Sequence, residues 1–258
     1  MSYAVSKEAS SPDFHSLKLL DDVARLIEPH SPGEWLSVFR DYVRNHSKRI
    51  AFDVDFVRRY AAKGDKLLEF GSVPLLFTGA LQRLGYDIQG VDIAPERFQT
   101  AIDQLGISVS KCNIETEPLP FADASFDLAI FNELFEHLRI NPIFTMREVL
   151  RVLRPGGILL LSTPNLRSLG GIRNFLLRNK SYSCCGDMYG EYEKLRTIGH
   201  MGHVREYTTL EVSEFLGKIG FKVTEVIYRG GYESQLAQLA TGLIPQLRPF
   251  VTIVAMKR

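Results

Sequence analysis

The sequence predicts an α/β protein: an open, doubly wound sheet of seven strands, mostly parallel, preceded by extra helices. Three observations carry this. From residue 64 onward, short apolar runs alternate with stretches of helical period, the pattern of strands joined by crossover helices. Polar residues stand directly after successive strands, where such sheets bind their ligands. The composition is that of an ordinary folded domain, with 45% hydrophobic and 24% charged residues in a chain of 258, long enough for one sizeable core.

The elements follow in order. Residues 1–15 are Ser-rich without an apolar period and are expected to form a tail. Leu17, Leu20, Val23, Ala24 and Ile27 fall at helical spacing. Ser31-Pro32-Gly33-Glu34 then predicts a new helix with Ser31 as its cap. Trp35, Leu36, Phe39, Tyr42 and Val43 supply its apolar stripe, and a third helix is expected from Ile50 to Ala62. Strands are predicted at 66–70, 87–93, 107–112, 126–131 and 158–162, with helices at 74–84, 95–105 and 142–153 between them. Residues 164–209 are irregular and long for a plain connector, which points to a cap over a site. A helix at 210–219, capped by Thr208 or Thr209, leads to strands at 221–228 and 250–256 that can pair as an antiparallel edge. The expected organisation is a tail and helical cap over 1–63, then one domain over 64–258 with a cap insertion at about 164–209.

Charge and cysteine content narrow the function classes. Lys and Arg total 31 against 30 Asp and Glu, a net charge of +1, which disfavours a nucleic acid or an anionic membrane as the main partner. No run approaches the roughly 18 apolar residues of a membrane span, and the N-terminus lacks the pattern of a signal peptide. A cytoplasmic protein is the expectation. Cys112, Cys184 and Cys185 cannot build a disulfide framework and match no zinc spacing, so no metal is expected.

The strand ends hold the chemistry. Glu69, Phe70, Gly71 and Ser72 close the first strand, and Gly71 permits a tight turn with close backbone approach. Asp92, with Ile93 after it, stands about 20 residues further on, where a carboxylate can accept both ribose hydroxyls of a nucleoside. Asn113 and Ile114 follow the third strand and could read an adenine edge; Asn132 and Glu133 follow the fourth, then Glu136 and His137. Singly, each has a plainer reading: Asp92 as a helix cap, Asn113 as a turn cap, His137 as a structural histidine. Together they describe one nucleoside-binding edge.

The runs LLEFG, GVDIAPER, NIETEPLPFADASFDLAIFNELFEHL and LRPGGILLLSTPN resemble the class I S-adenosylmethionine-dependent methyltransferases, in their small-molecule and saccharide-type branch. The resemblance covers about residues 64–258. It implies a Rossmann-like seven-stranded sheet ending in an antiparallel hairpin, S-adenosylmethionine as cofactor, and a small-molecule or saccharide-type acceptor, methylated at oxygen by in-line displacement. It also implies that Glu69 and Gly71 hold the methionine end, that Asp92 holds the ribose, that Asn113 and Ile114 flank the adenine, and that Asn132 lies near the methionine and sulfonium, with Ser72 and Ile93 further cofactor-binding residues. One departure stands out. The family's string of glycines after the first strand is here Gly71-Ser72-Val73-Pro74-Leu75. Either the loop takes another geometry that still binds the cofactor, or the fold has become a non-catalytic binding or scaffold protein. A nicotinamide enzyme shares the binding logic, but its G-x-G-x-x-G is missing, and no N-P-P-Y segment suggests methylation of a nucleic-acid base.

An acceptor hydroxyl has to lose its proton, and histidine suits that work because its ordinary pKa is near 6.5. The candidates are His203, His137 and His200, with Tyr207 and Glu133 behind them; the competing reading has His203, Arg205 and Glu206 tether the cap by ion pairs. Trp35, Phe39, Tyr42, Tyr182, Tyr189 and Tyr192 are candidate pocket aromatics, the first three also fitting a core stripe. A homodimer is left open.

Overall fold

The computed structural model describes residues 3–7, 12–198 and 202–258. Its strands are β1 (Ala4–Lys7), β2 (Lys66–Phe70), β3 (Asp87–Asp92), β4 (Ser108–Lys111), β5 (Phe126–Asn132), β6 (Leu153–Pro164), β7 (Phe221–Arg229) and β8 (Phe250–Lys257). Its helices are α1 (Phe14–Ile27), α2 (Gly33–Tyr60), α3 (Leu76–Arg83), α4 (Gln99–Leu105), α5 (Pro142–Val152), α6 (Leu169–Arg178), α7 (Met188–Ile198), α8 (Thr209–Ile219) and α9 (Gln235–Leu243). The strands hydrogen-bond in the order β1-β7-β8-β6-β5-β2-β3-β4. The chain divides into two compact units, residues 11–130 with 151–158, and residues 1–10, 131–150 and 159–258.

In the first unit β2 runs parallel to both β3 and β5, and β3 parallel to β4. Strand β2 reads KLLEF and buries everything after its first residue, the near-continuous apolar run of a strand covered on both faces. Leu20, Val23 and Ile27 of α1 and Val54 and Val57 of α2 are buried in the same unit. Gly79 lets α1 and α3 approach, since a Cβ there would lie 3.0 Å from Val23 Cγ1. Helix α2 is one helix of 28 residues, where the sequence suggested two. The polar run between Val43 and Ile50 contains no Gly or Pro and forms a partly exposed stretch of that helix instead of a loop. Pro32, not Ser31, stands at its N-cap, and Ser31 Oγ donates back to the Ile27 carbonyl at 3.2 Å. The boundary expected at 63/64 falls inside this unit.

In the second unit β7 and β8 are antiparallel, as the sequence suggested, with a bulge between Val223 and Glu225. Residues 4–7, expected as part of a tail, form β1 and pair in parallel with β7, so the sheet has eight strands where seven were expected. Helices α6 and α7 lie in the stretch expected to be irregular. Thr208 caps α8, and Glu211 closes a reciprocal capping box. Buried Asn165 anchors the end of β6 by donating from Nδ2 to the carbonyls of Gln246 and Arg248, both at 2.8 Å.

Candidate functional site

The first unit gathers Glu69, Gly71, Ser72, Asp92, Ile93, Asn113 and Ile114 at the carboxyl ends of parallel strands. Gly71 turns the chain at φ 72°, and its N–H donates to the Val91 carbonyl at 2.8 Å. The loop then takes its own course through a cis Val73-Pro74 bond to Leu75, which is left-handed at φ 73° and fully buried. Leu75 is the N-cap of α3, and its N–H donates to the Ser72 carbonyl at 2.6 Å. Gly90 is needed opposite, because a Cβ there would sit 2.5 Å from Ser72 Oγ.

Asp92 ends β3 and is held by backbone alone among its described partners. Val73 N–H donates to Oδ2 at 3.0 Å and Ala94 N–H to Oδ1 at 2.9 Å. Burial raises its pKa, partly offset by those two N–H groups. Each carboxylate oxygen has a second lone pair, so Asp92 keeps the capacity to accept two hydroxyls. Ser72 Oγ is buried and makes no hydrogen bond, a polar atom at the turn with a partner still to find. Glu69 is buried and its pKa is pushed up to about 8, first by burial and then by the charges of Asp92 and Asp53, against a hydrogen bond from Thr78 Oγ1. These features fit a nucleoside with a cationic tail: a fixed diol acceptor, a glycine turn, and a buried carboxyl that a neighbouring ammonium would ionise. Asn113 takes the plainer role that the sequence allowed. Its Oδ1 accepts from Glu115 N–H at 3.2 Å, and its own N–H donates to Glu117 Oε2 at 2.8 Å, an Asx turn with the backbone donor already engaged. Ile93 and Ile114 are half-buried beside these ends.

The second unit holds a cluster of ionisable side chains. Asn132 ends β5 half-buried, and Glu133 after it is left-handed at φ 47°. Glu133 Oε1 accepts from Ser162 Oγ at 2.9 Å and from Arg229 Nη2 at 3.1 Å, and Arg229 is only 1% exposed. Glu136 is fully buried; Thr163 Oγ1 donates to its Oε2 at 3.1 Å, while Oε1 accepts no hydrogen bond. Burial and the charge of Glu133 raise its pKa to about 8.

His137 and His203 meet edge to face with ring centres 4.7 Å apart. His203 sits between carboxylates, Nδ1 3.6 Å from Glu206 Oε1 and Nε2 4.0 Å from Glu136 Oε1. Burial alone would lower its pKa, but contacts with Cys184, Glu206 and Glu136 outweigh this and push it up to about 10. Glu206, buried too, is pulled down to about 2 by His203 and by Ser183. This raised pKa favours the protonated ring, the state that suits the tethering role between Glu206 and Glu136. His137 differs. Its Nδ1 faces the Gly202 carbonyl at 3.0 Å, which only accepts, so Nδ1 carries a proton and the basic nitrogen of a neutral ring is Nε2. His200 lies outside the described residues.

Other sequence candidates separate along the same line. Arg205 pairs with Glu211 Oε1 at 2.5 Å and lies over the Tyr207 ring at 4.9 Å. Tyr207, Phe135 and Phe215 help line a cavity of about 360 Å³. Phe39 is core, buried against Phe98, whereas Tyr189 and Tyr192 are exposed. Sequence reasoning missed Thr78 on Glu69, Ser183 on Glu206, and the Glu133–Arg229 pair. Only Thr78 carried a signal, a hydroxyl in the first turn of the helix after the glycine turn.

Residues 68–161 match a family described as a methyltransferase domain. A ubiquinone biosynthesis O-methyltransferase of Cereibacter sphaeroides is 31% identical over 117 residues, which are 44% of this chain and 47% of the relative. The chain thus spans about half the length of the curated relatives it matches. An S-adenosylmethionine-dependent methyltransferase of known structure from Thermotoga maritima superposes with a TM-score of 0.58 at 19% identity, over 91% of this chain and 99% of that one. The [4+2]-cyclase SpnF superposes with a TM-score of 0.54 at 18% identity, over 98% of both chains. The shared feature is the class I methyltransferase fold, which hosts more than one reaction.

Proposed function

We propose that this chain, whose residues 68–161 are those of a methyltransferase domain, transfers a methyl group from S-adenosylmethionine to an oxygen of a small-molecule or saccharide-type acceptor. The observation that carries the reading is Asp92: a buried carboxylate at a strand end, its two oxygens each fixed by one backbone N–H and each able to accept one more bond. The O-methyltransferase activity named for the Cereibacter relative supports oxygen as the target atom.

Asp92 would hold the ribose hydroxyls, the Gly71–Leu75 turn would lie against the methionine end, and Glu69 would face its ammonium. Bound there, S-adenosylmethionine supplies a methyl group on a sulfonium, a leaving group that needs no acid. What is left to the protein is alignment, exclusion of water and removal of the hydroxyl proton. We assign that last role to Nε2 of His137, since Gly202 fixes its tautomer, while both ring nitrogens of His203 face Glu206 and Glu136.

Isothermal titration with S-adenosylmethionine and S-adenosylhomocysteine tests the reading. Saturable binding of both is expected, and no binding at millimolar cofactor would overturn it. Transfer of labelled methyl to a panel of hydroxylated small molecules and saccharides then identifies the acceptor class. His137→Gln should lower kcat on that acceptor while leaving cofactor affinity unchanged.

A further inference from the structure

We propose that Cys184, Cys185, His203 and Glu206 form a binding site for a thiophilic divalent cation, with zinc the ion of best fit. Their ligand atoms all lie within 4.8 Å of one another. Cys184 Sγ is 3.2 Å from Glu206 Oε1 and 3.9 Å from His203 Nδ1, and Nδ1 is 3.6 Å from Oε1. A tetrahedral zinc with bonds of about 2.3 Å to sulfur and about 2.0–2.2 Å to nitrogen and oxygen needs ligands about 3.4–3.8 Å apart along its edges. The three edges among Cys184, His203 and Glu206 bracket that figure, and Cys185 Sγ, within 4.8 Å of the other three ligand atoms, completes the set by a side-chain adjustment of at most about an ångström. Two sulfurs and an imidazole select zinc over calcium or magnesium, which demand oxygen donors.

The surroundings are those that hold ligands in place. Ser183 N–H, at 2.5 Å, and Ser183 Oγ both donate to Glu206 Oε2, which leaves Oε1 turned to the sulfur and the imidazole. His203 is fixed through its backbone N–H on Glu191 Oε2 at 2.8 Å. On the far side of its ring, 4.0 Å from Nε2, stands Glu136 Oε1, buried and accepting no hydrogen bond. A ring that turns Nδ1 to a metal and Nε2–H to a buried carboxylate is the usual way a ligating histidine is oriented. Cys184 is exposed, so the ion has a route from solvent. Binding forms two thiolate bonds, one imidazole bond and one carboxylate bond; the displaced protons go to solvent, and no atom changes oxidation state. The sequence hides this site because the cysteines are adjacent and lie in the connection between α6 and α7, while His203 and Glu206 lie between α7 and α8. An ion here would pin those two connections together, independently of whether the chain transfers methyl groups.

The test uses the full chain without an affinity tag, reduced by a phosphine and stripped of metal. Zinc titrated against a chromophoric chelator should bind with one equivalent per chain, and cobalt should give sulfur-to-metal charge-transfer absorption with the intense visible bands of a tetrahedral site. Cys184→Ser, Cys185→Ser and His203→Gln should each weaken zinc binding at least 100-fold, while Cys112→Ser should leave it unchanged. Absence of stoichiometric binding, a cobalt spectrum without the sulfur band, or zinc affinity in Cys184→Ser and Cys185→Ser equal to that of the unaltered chain would overturn the proposal. The cobalt spectrum of the unaltered chain decides the case even where a variant fails to fold.

Discussion

At the ends of β2 and β3, polar groups are few and are positioned by the main chain: two N–H groups hold Asp92, and the turn from Gly71 to Leu75 is closed by backbone bonds. In the segment from Glu133 to Arg229 the opposite holds. Charged side chains position one another, with Arg229 on Glu133 and His203 between Glu136 and Glu206. A backbone-built edge tolerates changes of side chain, because its donors do not depend on residue identity. A side-chain-built cluster is brittle, because removing one member strands another in a dry interior. The contrast fits a turn at Gly71–Leu75 that is closed by main-chain hydrogen bonds although it holds a single glycine.

The largest effect should come from the brittle side. Arg229→Met leaves Glu133 uncompensated and should cost about 3–5 kcal/mol of stability. Urea denaturation would measure it, and the double variant with Glu133→Gln should recover at least half of the loss. A single variant as stable as the parent would break the comparison. Next, Asp92→Ala removes an acceptor for both ribose hydroxyls; at roughly 1.5–3 kcal/mol per charge-assisted hydrogen bond, cofactor affinity should fall at least about 100-fold by titration calorimetry.

A moderate, pH-dependent effect is expected at Glu69. Its folded pKa of about 8 lies above the ordinary 4.5, so its contribution to stability is greatest below about 4.5 and is lost as pH rises through about 8. Cofactor binding has the opposite sign. An ammonium beside Glu69 favours the carboxylate, so binding expels a proton, and affinity should rise with pH up to about 8. There the ligand's own α-amino group, with a pKa of about 7.7–8.0, begins to lose its charge. Glu69→Gln should flatten this rise, and calorimetry in buffers of different ionisation enthalpy would count the protons released. The smallest effect belongs to Val73→Ala. Since Asp92 is met by the Val73 N–H and not by its side chain, affinity should change less than about threefold; a larger change would mean that the side chain itself shapes the edge.

The same contrast decides what could be foreseen. Asp92 and Gly71 were legible because a strand's end fixes both a residue's place and its exposure, and strands announce themselves by apolar runs. The antiparallel pairing of β7 and β8 and the capping box at Thr208 were legible for the same local reason. The Cys184–His203–Glu206 cluster was not, since it depends on chain segments 22 positions apart folding together without any period. Of the two readings the sequence left open for His203, base or tether, its surroundings favour the second, since the ring lies between Glu206 and Glu136. β1 is hidden by its short, Ser-rich setting, and the continuity of α2 is hidden by the polar run at 44–49, which interrupts the apolar period without a Gly or Pro to break the helix.

Strand β1 has a consequence for solubility. It pairs along β7 from Ala4 to Lys7, occupying the main-chain groups that β7 turns away from β8. Stripped of these few residues, β7 would present an open rim of unpaired N–H and C=O groups, the kind of template on which a strand from another molecule adds. With β1 in place the rim on that side shrinks to a strand of four residues, too short a template to favour such addition.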